Sequence, residues 1–223
     1  MPRRLLVPGL LVGLCCLVGF VALTALVAGR VGSLVSFDHG WHDALMSFGR
    51  THNAWVDAMA VVTHLGDTAT LVIIDAVLVG FCLVRGWRSR AGMAAAVAVG
   101  GWALRIGMRD LVARPRPADA FWPEAMASYP SGHTTNATIT VGLALFVLWP
   151  LLGRAGRIVA VSTAVLYAAL VGLSRAAGGV HWPTDVAAGW LLGIGLVATV
   201  TAVRRPAGRH DRGSVHTGPQ PTI

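Results

Sequence analysis

A series of long apolar stretches constrains this chain more than any other feature of the sequence. A helix needs about 20 mostly apolar residues to cross the hydrocarbon core of a bilayer, which is roughly 30 Å thick. Six stretches reach or approach that length, namely residues 5–28, 69–84, 91–108, 134–149, 158–173 and 186–203. We therefore predict an all-α fold, an integral membrane bundle of six transmembrane helices.

The composition supports a membrane protein. Charged residues make up 13% of the 223 residues, about half of the roughly 25% that is typical of soluble domains. Hydrophobic residues make up 55%, and the mean hydropathy is +0.65. These values exclude a soluble domain, a disordered chain and a secreted domain held by disulfides. Cys15, Cys16 and Cys82 all lie in apolar stretches, so we interpret them as small buried hydrophobic residues.

The first apolar stretch has an alternative interpretation. Because Arg3 and Arg4 precede it, it resembles a secretory signal peptide. Its apolar run is longer than the about 7–15 residues of a signal core, and no clear cleavage site of small residues follows it. We therefore favour a transmembrane helix for this stretch.

The basic residues indicate how the chain lies in the membrane. All eighteen are arginines, and the formal net charge is +8. With six spans and a cytoplasmic N-terminus, the C-terminus is also cytoplasmic, and most arginines lie inside, as the positive-inside rule requires. These eleven are Arg3, Arg4, Arg85, Arg88, Arg90, Arg154, Arg157, Arg204, Arg205, Arg209 and Arg212. We expect a multi-pass protein of the cell membrane, and no motif indicates a nucleic-acid partner.

Three polar clusters fall in the connections on the opposite, extracytoplasmic face. They are Arg109-Asp-Leu-Val-Ala-Arg-Pro-Arg116-Pro117, then Pro130-Ser131-Gly132-His133, then Ser174-Arg175 followed by His181 and Asp185. Taken singly, each has a plain explanation: a rigid basic turn, a helix N-cap, and a metal site or local hydrogen bond. Together, on one face of the membrane, they indicate a functional site.

The residue types in these clusters suit phosphate chemistry. Arginines are permanently charged donors for phosphate oxygens, and a helix start at Ser131-Gly132 offers free N–H groups to an anion. His133 and His181 are candidates for an acid and a nucleophile. Asp185, four residues after His181, can orient its imidazole, and Pro183 favours a helix start between them.

The clusters resemble the signature of the type-2 phosphatidic acid phosphatase superfamily, which includes lipid phosphate phosphatases and vanadium haloperoxidases. Its pattern is Lys-x6-Arg-Pro, then Pro-Ser-Gly-His, then Ser-Arg-x5-His-x3-Asp. This sequence matches it from Arg109 to Asp185 with one departure, since Arg109 stands at the lysine position. A forked guanidinium keeps the positive charge but not the geometry of an ammonium group.

The resemblance implies a metal-independent phosphatase without a cofactor. It implies that His181 forms a phosphohistidine, that Asp185 orients His181, and that His133 protonates the leaving group and then activates water. It also implies a phosphate-binding set, made of Arg109, Arg116, Ser131, Gly132 and Arg175. The family's soluble haloperoxidases are a poor match for a chain of this hydropathy.

The resemblance implies a function and a domain organisation for the chain. We predict a membrane lipid phosphatase whose partners are the bilayer and a lipid phosphate: polyprenyl diphosphate, which we favour slightly, phosphatidic acid or phosphatidylglycerol phosphate. The alternatives are a lipid-linked phosphotransferase and a non-catalytic transporter or scaffold. Residues 1–36 hold the first helix and the start of an outer loop, residues 37–203 the catalytic domain, and residues 204–223 a disordered cytoplasmic tail.

Two further features of the catalytic domain lead to expectations. Residues 37–65 have the apolar spacing of one or two amphipathic helices at the membrane surface. Asp75 and Arg105 are charges inside predicted spans, where charges are usually paired. We therefore consider an ion pair between them, with Asp75 facing a polar crevice as the alternative.

Overall fold

The computed structural model describes residues 6–202, and the regular elements in that range are all helices. Eight α-helices follow one another there: α1 (Leu6–Ala28), α2 (Gly32–Thr51), α3 (Asn53–Thr63), α4 (Thr68–Val84), α5 (Arg88–Val112), α6 (Gly132–Leu148), α7 (Arg154–Ala177) and α8 (Pro183–Ala202). Short 3₁₀ turns, His64–Gly66 and Trp149–Leu151, follow α3 and α6. The all-α prediction is confirmed, whereas the predicted tail lies outside the described residues.

The number of candidate membrane spans is five or six. Helices α1, α5, α7 and α8 are each long and apolar enough to cross a bilayer, and so is α6 together with the 3₁₀ turn that continues it to Leu151. Helix α4 has 17 residues, or about 26 Å at about 1.5 Å per residue, slightly less than the core of a bilayer. It becomes a sixth candidate together with Asn53–Gly66, from which it is bent by 40°.

The predicted amphipathic region forms two helices, α2 and α3. Within the bundle, α6 is central and packs against α4, α5, α7 and α8. Large apolar side chains elsewhere point outward, such as Val18 of α1 and Val165 of α7, as expected for helices in contact with lipid. Cys82 is buried as predicted, but Cys15 is exposed on α1, because a thiol facing lipid avoids water without being covered by protein.

Close contact between α6 and α8 brings two parts of the site together. A Cβ atom on Gly189 would lie 2.9 Å from Cβ of Thr134, and one on Gly193 would lie 2.7 Å from Cβ of Thr138. Small residues one turn apart therefore let the helices approach closely, as is common in membrane proteins. The N–H of Ser131 can then donate to the carbonyl oxygen of Asp185 at 3.1 Å.

The two ends of the bundle have different compositions. One end holds the short turns between α4 and α5 and between α6 and α7, where Arg90 donates to the carbonyl oxygen of Val147 at 3.2 Å. The other end holds the C-termini of α5 and α7 and the N-termini of α6 and α8. The three polar clusters of the sequence lie at this second end.

Candidate active site

The connection between α7 and α8 places His181 just before a helix start. Pro183 begins α8 and Asp185 lies in its first turn, as the sequence predicted. Nδ1 of His181 lies 3.5 Å from Oδ2 of Asp185, and both side chains are almost completely buried. The N–H of Trp182 donates to the same carboxylate oxygen at 3.0 Å. Asp185 is thus fixed behind the Nδ1 side of the imidazole.

Arg116 lies on the other side of the same imidazole. Its Nη1 is 3.1 Å from Nε2 of His181 and donates to the carbonyl oxygen of Val180 at 2.5 Å. A guanidinium can only donate, so Nε2 accepts and the ring proton is on Nδ1, facing Asp185. Burial lowers the pKa of His181 against the opposing effect of Asp185. The imidazole is therefore neutral near pH 7, with its lone pair on Nε2.

Two arginines converge on Glu124, which lies in the connection between α5 and α6. Arg175, buried at the C-terminal end of α7, donates to Oε1 of Glu124 and, at 2.8 Å, to Oγ1 of Thr63. Nη2 of Arg116 lies 2.9 Å from Oε2 of Glu124. Burial alone would raise the pKa of Glu124, but Arg175 and Arg116 hold it below its ordinary value. Two cations and one anion give this cluster a net positive charge beside His181.

His133, the second residue of α6, has a carboxylate partner. Its Nε2 lies 3.2 Å from Oδ1 of Asp67, and Oδ2 of Asp67 is 2.9 Å from Nδ1 of His64. A Cβ atom on Gly66 would lie 3.0 Å from Cδ2 of His133, so the glycine makes room for the ring. Arg175 and His181 are near enough to act electrostatically on His133. Sequence reasoning missed Asp67, whose only signal was its place before a helix.

Ser131 and Gly132 form the start of α6, as predicted. Oγ of Ser131 accepts from the N–H of Thr134 at 3.5 Å and from its hydroxyl at 2.9 Å. The serine hydroxyl therefore caps its own helix, which is the ordinary role of serine at this position. A Cβ atom on Gly132 would lie 2.9 Å from Nη1 of Arg105, so the Arg105 guanidinium lies directly over the glycine.

This position of Arg105 corrects the considered ion pair with Asp75. Among residues 6–202, Arg105 forms no ion pair with that carboxylate, whose neighbouring polar side chain is Thr140. The physical reason is the path of α5, which carries Arg105 toward the start of α6. The alternative, in which Asp75 faces a polar crevice, stays a prediction.

Arg109 stands at the edge of the site, away from the other predicted arginines. Its Nε donates to Oδ1 of Asp110 at 2.8 Å, and its Nη1 is 3.1 Å from Sδ of Met126. The carbonyl oxygen of Met126 accepts from Nε of Arg116 at 2.5 Å, so Met126 lies between the two arginines. The structure thus brings Arg116, Arg175 and His181 together, with Arg109 beyond them.

Arg114 forms a second ionic cluster, which sequence reasoning missed. It donates to Oδ1 of Asp185 and to Oδ2 of Asp38, both at 2.6 Å. Asp38, from α2, also accepts from the N–H of Thr184 at 3.0 Å and from its hydroxyl at 2.6 Å. The Asp38 and Asp185 side chains are 1% and 0% exposed. The cluster therefore fixes the carboxylate that faces His181.

Comparisons with known proteins find a family match and similar proteins. The sequence model of the PAP2 superfamily matches residues 87–209, a range that contains all three polar clusters. Phosphatidylglycerophosphatase B of Bacillus subtilis (strain 168) is 30% identical over 143 residues, which are 62% of this chain and 70% of that protein.

A solved structure is similar over most of the chain. It is the crystal structure of the first transmembrane PAP2 type phosphatidylglycerolphosphate phosphatase, from Bacillus subtilis. The match covers 84% of this chain and 93% of that protein, with 26% sequence identity and a TM-score of 0.75.

Proposed function

The chain belongs to the PAP2 superfamily and is a membrane lipid phosphatase, and from this premise we propose that it acts through a phosphohistidine on His181. The observation that carries the proposal is the setting of this imidazole. A carboxylate lies behind Nδ1, and a cationic cluster lies beside Nε2. A neutral imidazole oriented in this way is a nucleophile for phosphorus.

In the first step, the Nε2 lone pair of His181 attacks phosphorus while the bond to the lipid oxygen breaks. His133 gives a proton to that oxygen. A lipid phosphomonoester is thereby released as the lipid alcohol, and a lipid diphosphate as the lipid monophosphate. Asp185 stabilises the positive charge that develops on the His181 ring. Asp67 orients His133, since it is within 3.2 Å of that ring.

In the second step, water attacks the phosphohistidine. His133, now unprotonated, takes a proton from the water, and the bond from phosphorus to Nε2 breaks, which returns His181 to its neutral form. Arg116 and Arg175 hold the phosphoryl oxygens throughout, with the N–H of Gly132 and with Arg109 at the edge. The capping hydroxyl of Ser131 supports the helix start that presents this N–H.

The charge that stabilises the phosphoryl group comes from guanidinium groups, and we infer that the reaction is independent of metal ions. Phosphoryl transfer depends mainly on positioning and on stabilising negative charge. Arg116 and Arg175 supply that charge within direct reach of the nucleophile. A net positive cluster also repels a divalent cation from the same place.

The substrate proposal follows from the relatives. Both are named for the phosphatase reaction on phosphatidylglycerol phosphate, so this lipid is the first candidate, ahead of phosphatidic acid and polyprenyl diphosphate.

The side of the membrane on which the site lies is a proposal as well. The turns with Arg85, Arg88 and Arg154 lie at the opposite end of the bundle, and the positive-inside rule assigns that end to the cytoplasm. The active site then faces the outside.

The proposal is tested by phosphate release in detergent with EDTA, using phosphatidylglycerol phosphate, phosphatidic acid and undecaprenyl diphosphate. We expect His181→Ala to lower turnover by at least about 1000-fold. The matched control is His52→Ala, which removes an exposed histidine whose ring bonds to Thr51 and to the carbonyl oxygen of Phe48, and it should preserve turnover. Release that persists unchanged in His181→Ala overturns the mechanism, and loss of release on adding EDTA overturns metal independence.

Two further measurements separate the alternatives. A phosphoenzyme that is labile in acid and stable in base supports a phosphohistidine, and an acid-stable one contradicts it. Transfer of phosphate to an added alcohol in preference to water identifies a phosphotransferase.

A further inference from the structure

The carboxylate of Glu124 lies between the two guanidinium groups that the proposed mechanism assigns to the phosphoryl group. We propose that Glu124 is an internal competitor for the phosphate position: it fills the position in the resting enzyme, leaves when the substrate phosphate binds, and returns as inorganic phosphate departs. The inference rests on the proposed function, because it takes Arg116 and Arg175 as the phosphate-binding residues.

The contacts of Glu124 are those that two phosphoryl oxygens would make. One carboxylate oxygen accepts from Arg175 and the other lies 2.9 Å from Arg116. The same Arg116 is 3.1 Å from the nucleophilic Nε2 of His181. A charged oxygen pair on two guanidinium groups next to a nucleophile is the arrangement that a bound phosphate needs.

The chain around Glu124 has room to move. On one side, the N–H of Phe121 donates to the carbonyl oxygen of Gly178 at 3.0 Å. On the other side, the N–H of the buried Ser128 donates to the carbonyl oxygen of Arg114 at 2.9 Å. Nearer to Glu124, the carbonyl oxygen of Met126 accepts from Nε of Arg116. Residues 123–125 are exposed, and the Glu124 side chain is 35% exposed. Glu124 can therefore swing out without unpacking either anchor.

An internal carboxylate solves a problem of charge burial. Arg175 is only 3% exposed, and a buried charge without a partner is strongly unfavourable. Glu124 supplies that partner when no substrate is bound. A phosphate dianion interacts more strongly with the same two cations than a carboxylate does, so it can displace Glu124. The returning carboxylate then competes with inorganic phosphate and favours its release.

The test is Glu124→Gln, which keeps the size of the side chain and removes its charge. We expect the KM for dioctanoyl phosphatidic acid and the Ki for inorganic phosphate to fall together, each by about threefold to tenfold, because the competing charge-assisted bonds are weakened. We expect kcat to remain equal or to fall as product leaves more slowly. Direct titration of inorganic phosphate by calorimetry should show the same gain in affinity, which a loss of structural support would not produce.

The matched control is Asp119→Asn, which removes a carboxylate from the same connection. Asp119 pairs with His42 and Arg50 and not with the two phosphate-binding arginines, so both constants should remain as in the wild type. If Glu124→Gln folds poorly, Glu124→Ala is measured in the same way. Unchanged or weaker phosphate binding in both Glu124 variants overturns the inference. The proposed function fails separately, through wild-type turnover that does not depend on His181.

Discussion

Two arginines separated only by Pro115 have different roles in this molecule. Arg114 and Arg116 are almost equally buried, with side-chain exposures of 13% and 11%. Arg114 bridges the carboxylates of Asp38 and Asp185, whereas Arg116 shares a single carboxylate with Arg175. The two arginines therefore differ in their carboxylate partners and not in how deeply they are buried.

The difference teaches how one residue type supplies both support and binding. One guanidinium between two carboxylates leaves the Arg114 cluster with a net negative charge, so it does not attract a phosphate. Two guanidinium groups on one carboxylate leave the Arg116 cluster with a net positive charge, which does attract an anion. We therefore interpret Arg114 as a positioning residue, which acts on catalysis through Asp185.

The largest effect is expected for Arg114→Ala. This change leaves Asp38 and Asp185 buried and facing each other without a cation, which should cost about 3–5 kcal/mol of stability. Turnover should fall by at least about 1000-fold, because Asp185 no longer orients His181. Thermal unfolding in detergent and phosphate release measure the two effects.

Neutralising one of the two carboxylates checks whether their unpaired charges cause the loss of stability. Combining Arg114→Ala with Asp38→Asn should recover part of the lost stability, since one buried charge disappears with its partner. A single Arg114→Ala variant that melts like the wild type and stays active would remove the distinction between the two arginines.

A smaller effect is expected for Arg116→Ala. Glu124 keeps Arg175 as a partner and is partly exposed, so the melting temperature should change much less than in Arg114→Ala. The value of kcat/KM should still fall by about 100-fold to 1000-fold, because a donor to the phosphoryl group is lost. The control is Arg50→Ala, which breaks an exposed pair with Asp119 and should leave both measurements near wild type. Strong destabilisation with normal kinetics would contradict the assignment.

The smallest effect is a shift in pH dependence. Burial lowers the pKa of His181, and only the neutral imidazole attacks phosphorus, so activity should fall when the pH drops through that lowered pKa. Arg116 is one of the cations that lower this pKa. In Arg116→Gln the pKa should therefore rise, and the acid limb of kcat/KM should move to higher pH. A profile across the acidic and neutral range measures the shift, and movement toward lower pH would refute it.

The bounds of a helix could be predicted from the sequence where the apolar stretch extends over the whole helix. The predicted stretches 69–84 and 134–149 differ from α4 and α6 by at most two residues at either end. The prediction of 91–108 was shorter than α5, which runs from Arg88 to Val112. Hydropathy falls at the arginines near both ends, but backbone hydrogen bonding continues through them.

The site could be predicted only where its residues are close in the sequence. His181 and Asp185 share one helix start, so their spacing fixes their relation. Asp38, Asp67 and Glu124 come from segments with no fixed spacing to the motif, and their partners are set by how helices and connections pack. The hydroxyl of Ser131 shows the converse, since the motif indicated a phosphate ligand and the local structure uses it as a cap.

The contact of Asp38 with Arg114 and Thr184 has a consequence for how far this enzyme can be shortened. The family match begins at residue 87, while Asp38 belongs to α2. A fragment limited to the matched segment would contain Arg114 and Asp185 without the Asp38 carboxylate that also pairs with Arg114. A shortened enzyme therefore has to keep α2 with the matched segment if Arg114 is to retain both carboxylate partners.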